Sequence, residues 1–389
     1  MPYKRLSHFK LIAFLFIVKL SFFNLTSEAA EVQCQKQWGS AIVSSEGNCV
    51  ITQAPTNEPS SVILRGFIWN YNQQTLALKL KLNHPALLSG LKITFYNRGS
   101  VQASYTLPLY TDPQYNILQD GIVTKLSIPL SNLLWEESKM ASAKASAQFD
   151  SLSIYIATKA QGSVPLQLSL IDYEYITKKT EGRISITFDD GYTSNFKAAQ
   201  VMQPLGFAGT AYIIPDAIGS KGHLTTKELA QMKSWGWSHS AHLTTPVTQI
   251  NDLNKVIKEA KEFITKIGSH SSANHFALPL GKYNSIQLDT LKKHFTSVRL
   301  AGGFAEGLPI TDPFRLKTIN VTSDMDPDDV FAWCKKAIDN KDWAILMFHY
   351  LDKPEKGELH YSSDKYKALM QKLSIYKKYI KTVEDVISE

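Results

Sequence analysis

Four points in the second half of the chain combine side chains that can transfer protons or bind a metal ion. Aspartate and histidine are common acid–base groups, and together they provide ligands that suit zinc when one coordination position stays open. A further strand end is followed by the turn "PLG", which contains Leu280. The candidate residues are Asp189, Asp190, His239, His242, Leu280 and His349.

The first of these points is a pair of adjacent carboxylates. Asp189 and Asp190 begin the segment "DDGYTSN" directly after the apolar run "SITF". Neighbouring carboxylates repel one another, and a bound cation would offset that repulsion and keep both groups ionised. The alternative is a turn in which an aspartate caps the helix that follows. The pair by itself favours the helix-capping turn, and the metal site needs support from other motifs.

Strands and helices alternate from Ile184 onward, and the candidate residues follow the strands. The segments "RISITF", "HFALP" and "WAILMF" are short and apolar, as expected for buried strands. Two helices carry start signals, a capping box from Thr225 to Glu228 and an Asp326 that precedes Pro327. Repeated β–α units imply parallel strands in a barrel or an open sheet, and in a barrel the carboxyl ends of the strands form the active site.

The earlier part of the chain, from about Val32 to Tyr175, has a different pattern. Short runs such as "TLALKLKLN" and "SLSIYIATKA" are rich in residues that favour strands, and Asn, Gly, Pro and Ser separate them. Regular short strands without helical periodicity predict an antiparallel sandwich. The polar segment "TKKTEGR", residues 177–183, predicts a linker, and we therefore expect the second part to fold by itself.

Several motifs, taken in order, resemble those of the polysaccharide deacetylases, also called NodB-homology or carbohydrate esterase 4 domains. They are "TFDDG", "FALPLGKYN", "ILMFHYLD" and the tail that begins "YSSDKYKALMQKL". The resemblance covers about residues 183–389. It implies a distorted (β/α) barrel of the NodB-homology type that removes N-acetyl groups, and sometimes O-acetyl groups, from sugars. The predicted architecture is therefore an all-β sandwich at residues 31–176 followed by this α/β barrel at residues 183–389.

The resemblance also implies a role for each candidate residue. Asp189 matches the catalytic base of the family, and Asp190 matches a metal ligand. His349 matches the general acid that protonates the leaving amine. Leu280 stands where the family usually has tyrosine, and the backbone N–H of that residue holds the oxyanion, so that a leucine can serve as well.

The histidine motif departs from the family pattern, which is His, then Ser or Thr, two further residues, and a second His. An alignment without gaps places His242 at the first histidine and Pro246 at the second. Matching "SHS" instead makes His239 the first histidine and His242 the second. A spacing of three residues brings two imidazoles together on a helical turn but separates them on a strand. We therefore predict Asp190, His242 and His239 as the metal ligands, and the alignment without gaps stays open as the alternative.

An arginine is missing from its usual place. Ala277 stands where the commonest motif of the family has an arginine that orients the base. That role is either lost or supplied from elsewhere, and Arg315 is one candidate.

The predicted function is a metal-dependent hydrolase that removes N-acetyl groups from an N-acetylglucosamine-containing polysaccharide. Zinc is the first choice of metal, and cobalt and nickel also suit the ligands. Two alternatives stay open, an O-acetyl esterase and a carbohydrate-binding protein that has kept the fold and lost the chemistry. The altered histidine motif and the missing arginine motivate the second alternative.

The N-terminus has the features of a signal peptide at residues 1–30. Basic residues precede "LIAFLFIVKLSFF", and "TSEAA" provides small residues for cleavage. We therefore expect a secreted or periplasmic protein, with an uncleaved N-terminal anchor as the alternative. Cys34 and Cys49 could form a disulfide in such a compartment, whereas Cys334 is expected to be a buried apolar residue.

The charge of the chain argues against a nucleic-acid partner. The formal net charge is +7, of which residues 1–30 contribute +3, and the remaining +4 is dispersed. We expect an acetylated polysaccharide as the partner and no stable membrane insertion after signal removal. The sequence indicates no particular oligomeric state.

Overall fold

The structure is a computed structural model. It describes residues 33–39, 42–44, 49–53, 59–110, 115–137, 147–159, 164–352 and 359–389. The predicted signal peptide, residues 1–30, lies outside the described residues. Within the described ranges, no helix has both the length and the apolar character needed to cross a membrane.

The second part of the chain forms a closed barrel of parallel strands, which confirms the barrel over the open sheet. Neighbours in the barrel follow chain order, and β12 pairs with β18 to close it. The run "WAILMF" is buried along its whole length because the barrel interior covers one face and helices cover the other. In the part of the chain that the structure describes, the barrel strands are β12 (Arg183–Phe188), β13 (Thr210–Ile213), β14 (Ser238–Ala241), β15 (His275–Ala277), β16 (Ser297–Gly303), β17 (Leu316–Asn320) and β18 (Trp343–Phe348).

α-Helices follow most of these strands, and two of them begin where the sequence predicts. The Thr225 hydroxyl accepts the Glu228 backbone N–H in a capping box, and the Asp326 side chain caps the helix that starts at Pro327. Two short strands, β19 (Tyr350–Leu351) and β20 (His360–Tyr361), follow the barrel. The α-helices of the described part are α1 (Thr193–Met202), α2 (Thr226–Ser234), α3 (Leu253–Lys266), α4 (Ser285–His294), α5 (Pro327–Asn340), α6 (Ser363–Leu373) and α7 (Val383–Ser388).

The first part of the chain is an antiparallel sandwich of two sheets. Trp69, Phe95 and Phe149 are fully buried between the sheets, so Trp69 is a core residue. A disulfide between Cys34 and Cys49 links one sheet to the other. In the described residues the first sheet has the order β1 (Gln33–Trp38), β4 (Ser60–Asn70), β10 (Gln148–Thr158), β6 (Leu88–Asn97), β7 (Ser100–Thr106) and β9 (Leu134–Trp135). The second has the order β2 (Ile42–Ser44), β3 (Cys49–Gln53), β11 (Leu166–Thr177), β5 (Gln74–Asn83) and β8 (Val123–Ile128).

The sandwich and the barrel share a buried polar interface and belong to one compact unit, Val32–Glu389. Lys317 on β17 is 1% exposed, and its ammonium group lies 3.4 Å from Glu306 Oε1 and 2.7 Å from Ser127 Oγ on β8. Ser127 Oγ also hydrogen-bonds the Glu306 carboxylate. Strand β17 was not predicted from the sequence, because a lysine in "LKTIN" indicates a solvent-facing position unless another domain covers it.

Candidate active site

A cavity of about 660 Å³ opens at the carboxyl ends of the barrel strands. This is the place where parallel barrels hold their active sites, because the loops after the strands converge there. Most residues predicted from the sequence line it, and His239 does not. The predicted residues that line the cavity are Asp189, Asp190, His242, Leu280 and His349.

Asp189 is held by a buried arginine. Its side chain is only 5% exposed, and Arg299 Nη2 lies 2.5 Å from both carboxylate oxygens. The guanidinium also donates from Nη1 to the Leu300 carbonyl at 3.0 Å and lies 4.8 Å above the ring of Tyr212. A charge-assisted contact of this kind fixes both the position and the direction of the carboxylate.

Arg299 is the functional residue that sequence reasoning missed. It lies on β16 and pairs across the sheet with Ala277 on β15, the position at which the motif has lost its arginine. Arg315 does not take this role, because its guanidinium contacts Asp312 and the sandwich residues Val123 and Thr124. The one available signal was a charged residue in the middle of the apolar strand "SVRLA".

Asp190 and His242 contact each other in the wall of the cavity. Asp190 Oδ1 lies 3.3 Å from His242 Nε2, and His242 Nδ1 lies 2.9 Å from the Ala277 carbonyl oxygen. Because a carbonyl only accepts, Nδ1 carries a hydrogen and Nε2 is the nitrogen directed at Asp190. Burial alone would lower the pKa of His242, but the hydrogen bond to Asp190 and the charges of Asp189 and Asp190 outweigh it and raise that pKa. Burial likewise opposes the shift of Asp190, whose pKa His242 and His349 lower.

His239 lies outside this cluster. It is fully buried, and its Nδ1 lies 3.3 Å from the Ser269 hydroxyl beyond the end of α3. Burial first, and then the charge of Lys233, lower the pKa of His239 to about 4, so the imidazole is neutral. This placement corrects the expectation that His239 and His242 face one metal ion, because side chains three residues apart in extended backbone point to opposite faces.

The donor chemistry of Asp190 and His242 fits a divalent cation in part. A carboxylate oxygen and an imidazole nitrogen that face each other at 3.3 Å are both electron-rich, so a proton or a metal ion between them is favourable. The described residues contain no group of three or more His, Cys, Asp or Glu side chains placed to hold a metal ion. The fit is therefore to an ion with two protein ligands, which is fewer than the three of the usual catalytic zinc site.

His349 contributes an imidazole from the end of β18. Its Nδ1 is buried and has no hydrogen-bond partner among the described residues, and its backbone carbonyl accepts from Asn195 Nδ2 at 2.7 Å. Burial lowers the pKa of His349, while the Asp189 and Asp190 carboxylates oppose that shift. The hydrogen bond from Asn195 thus fixes the backbone of His349 at the cavity wall.

Leu280 presents backbone to the cavity from a strained turn. Its φ is 56°, in the left-handed region, and its side chain is 55% exposed. Two hydrogen bonds hold the turn, from Gly281 N–H to the Leu278 carbonyl and from Leu278 N–H to the Arg299 carbonyl, each 3.0 Å long. A leucine in this conformation costs on the order of 1–3 kcal/mol, which the surrounding structure has to offset.

Residues 177–296 match the sequence model of a family described as "Polysaccharide deacetylase". This match confirms the resemblance to polysaccharide deacetylases seen in the motifs. The matched segment contains Asp189, Asp190, His242 and Leu280, whereas Arg299 and His349 follow it.

One curated relative supports the same family. YxkH of Bacillus subtilis (strain 168), a polysaccharide deacetylase by name, is 30% identical over 122 residues. The match covers 30% of this chain and 43% of YxkH, so the chain spans less than half the length of that relative.

Solved structures similar to this chain include carbohydrate esterases. The CE4 domain of a multidomain xylanase from the hindgut metagenome of Trinervitermes trinervoides is 15% identical, with a TM-score of 0.37 over 54% of this chain and 91% of that one. A family 4 carbohydrate esterase from Bacillus anthracis is 18% identical, with a TM-score of 0.36 over 54% of this chain and 85% of that one.

Proposed function

We propose that the barrel is a hydrolase that removes acetyl groups from the N-acetylglucosamine units of a polysaccharide. The observation that carries this proposal is the Asp189–Arg299 pair, held at the wall of the cavity beside Asp190 and His242. A carboxylate fixed by a buried guanidinium keeps a constant orientation, as a catalytic base requires. In this proposal Asp189 takes the proton from the attacking water.

Asp190 and His242 are the residues that would hold a divalent ion, with zinc as the first choice and cobalt or nickel as alternatives. When bound, such an ion would increase the acidity of water and polarise the acetyl carbonyl. The chain's own contribution is to aim Nε2 of His242 at the carboxylate, which the hydrogen bond from Nδ1 to the Ala277 carbonyl achieves.

His349 and Leu280 would complete the reaction on the leaving-group side. His349 gives its proton to the amine nitrogen as the carbon–nitrogen bond breaks, and the burial that lowers its pKa makes the protonated imidazole a stronger acid. The Leu280 backbone N–H stabilises the oxyanion that forms on the acetyl oxygen.

A second candidate is a carbohydrate-binding protein without catalysis. The observation that favours it is that the described residues place two metal donors at the site, whereas a catalytic zinc site usually has three.

An O-acetyl esterase would use the same groups, because an ester carbonyl needs the same base and oxyanion donor.

We also propose that the protein acts outside the cytoplasm, as a secreted or periplasmic protein. The disulfide between Cys34 and Cys49 supports this proposal, since such bonds persist in oxidising compartments. The signal-like composition of residues 1–30 points the same way.

Acetate release tests the proposed activity. The purified protein would be incubated with peptidoglycan, poly-N-acetylglucosamine, chitin oligomers and acetylated xylan, with and without added zinc, cobalt or nickel. We expect acetate from at least one of the N-acetylated glycans. Release from acetylated xylan alone would identify an esterase, and glycan binding without any acetate would favour the non-catalytic alternative.

A further inference from the structure

Two tyrosines of the sandwich stand in the wall of the candidate active site. Tyr110 and Tyr115 line the same cavity as Asp189 and His349, although they belong to the first part of the chain. The centroids of the two rings are 6.1 Å apart, with an angle of 56° between the planes. The cavity is therefore built by both parts of the molecule.

Tyr110 is packed at one end and open at the other. A Cβ added to Gly302 at the end of β16 would lie 1.8 Å from the Tyr110 hydroxyl, so this close approach depends on the glycine. The Tyr110 backbone N–H donates to Asn116 Oδ1 at 2.7 Å. The residue is nevertheless 42% exposed, and burial raises the pKa of its hydroxyl. Tyr110 therefore packs closely against Gly302 and leaves part of its surface open to the cavity.

Tyr115 and Ile117 contact the two residues that follow the turn of Leu280, namely Lys282 and Tyr283. The Lys282 ammonium group lies 4.8 Å from the centroid of the Tyr115 ring. The Tyr283 hydroxyl is buried and donates to the Ile117 carbonyl at 2.9 Å. Lys282 and Tyr283 follow Leu280 in "PLGKYN", so the two rings keep a set distance from the candidate oxyanion site.

We propose that Tyr110 and Tyr115 form a sugar-binding subsite, supplied by the sandwich, for a unit next to the one that is deacetylated. This inference rests on the proposed function. Pyranose rings have faces of C–H groups, which pack on the electron-rich faces of aromatic rings. Asn320 lines the same cavity, and its Oδ1 is buried without a partner among the described residues, so it can accept a sugar hydroxyl. The ligand class is an oligosaccharide of two or more units.

Substitutions of Tyr110 test the subsite kinetically. Tyr110→Ala should raise KM for tetra-N-acetylchitotetraose about 5- to 30-fold, as expected for loss of one stacked aromatic face and its buried area. The kcat for the tetramer should change less than KM, because the proposed contact is with a neighbouring sugar unit and not with the reacting atoms. Tyr110→Phe keeps the ring and should behave as wild type. Tyr96→Ala is the matched control, since Tyr96 is a half-buried sandwich tyrosine that lines a different groove.

Gly302→Ala moves the ring without removing it. The added methyl group would collide with the Tyr110 hydroxyl, so KM for the tetramer should rise as in Tyr110→Ala. Combining the two substitutions should add no further loss. An unchanged KM in both Tyr110→Ala and Gly302→Ala would overturn the subsite.

A binding titration separates this inference from the proposed activity. The probe is the fully deacetylated glucosamine tetramer, which the protein cannot hydrolyse, measured by calorimetry together with the unfolding temperature of each variant. Binding that is weakened about 5- to 30-fold in Tyr110→Ala, and kept in Tyr110→Phe and Tyr96→Ala, supports the subsite even if no glycan releases acetate. If Tyr110→Ala does not fold, Tyr110→Leu keeps a larger apolar side chain without an aromatic ring and decides. Equal affinities in all variants, or no binding by the wild type, overturn the subsite even if acetate is released.

Discussion

Asp189 and Arg299 form a buried ion pair, so the two residues have a structural role beside the proposed catalytic one. Removing one partner of such a pair leaves an uncompensated charge in the interior, which typically destabilises a protein by about 3–5 kcal/mol. A substitution of Asp189 alone therefore changes stability and activity together. A fair test of the base has to separate the two effects.

The Asp189→Asn variant should lose a hundredfold or more of the deacetylase activity and about 3–5 kcal/mol of unfolding free energy. The double variant Asp189→Asn/Arg299→Gln removes both charges, so it should recover most of the stability and none of the activity. Urea unfolding and acetate release would be measured on the same preparations. Activity near wild type in either variant would remove Asp189 from the mechanism.

Metal retention distinguishes the two histidines. His242→Ala and Asp190→Asn should each empty the site, since each removes one of the two donors that the described residues place there. His239→Ala should retain the wild-type metal content, because its imidazole contacts Ser269. Elemental analysis before and after overnight dialysis against a mild chelator gives the comparison. Equal loss in His239→Ala and His242→Ala would restore the shared-ligand alignment.

Sequence analysis identified residues that lie within contiguous motifs. It missed Arg299, which contacts Asp189 only in the folded barrel. Asp189, His349 and Leu280 could be located because each stands at a fixed offset within its own strand or turn. Arg299 is separated from Asp189 by 110 residues, and the contact appears only when the barrel closes. The side of the strand on which His239 lies was left open because the register of β14 against its neighbours was unknown.

At the scale of elements, apolar runs predicted most strands and capping residues predicted two helix starts. Strand β17 was not predicted. "RISITF" and "WAILMF" coincide with β12 and β18, and the predicted caps of α2 and α5 are present. Local rules suffice there because the signals are near neighbours in sequence. Lys317 in β17 is buried only because Ser127 and Glu306 receive its ammonium group, and that contact joins two parts of the chain 190 residues apart.

Asp342, directly before β18, makes the interface between sandwich and barrel sensitive to pH. It is fully buried, and its Oδ2 accepts the Ser131 backbone N–H at 2.9 Å. Burial raises the pKa of Asp342 to about 6, although the Lys178 charge opposes the shift. Because the folded pKa is above the unfolded one, its contribution to stability is full below about pH 4 and is lost as the pH rises through about 6.

The Asp342→Asn variant should be more stable than wild type at pH 7 by about 1–3 kcal/mol, and the difference should vanish near pH 4. The asparagine keeps an oxygen for Ser131 and has no charge to bury. Chemical unfolding at several pH values measures the difference between variant and wild type. Asp339→Asn, at an exposed ion pair with Lys335, is the control that should show no such trend. A difference that stays constant from pH 4 to 7 would contradict the assigned cause.

For the whole molecule, the buried interface argues against the independent barrel expected from the polar linker. Lys317, Glu306 and Arg315 belong to the barrel, and sandwich groups complete their hydrogen bonds. The two parts should therefore unfold together. The composition of the linker predicted the boundary between the sandwich and the barrel, between Thr177 and Arg183. It carried no information about whether the surfaces of the two parts contact each other.

Calorimetry of the chain should show one cooperative transition. Lys317→Met leaves Glu306 buried without its cation, so it should lower that single midpoint. The double variant Lys317→Met/Glu306→Gln should return most of the way to wild type. Two separate transitions, of which Lys317→Met shifts only one, would show that the sandwich and the barrel unfold as independent units.

The pairing of Ala277 with Arg299 affects how a related sequence is classed as an active enzyme or as a pseudoenzyme. A survey that scores active sites column by column would record the alanine and class the chain as a degenerate homologue. The Arg299 guanidinium nevertheless contacts Asp189, because an arginine on either of two adjacent barrel strands can reach the same carboxylate. Among such homologues, an arginine lost from one strand should be sought at the cross-strand neighbour before a sequence is set aside as a pseudoenzyme.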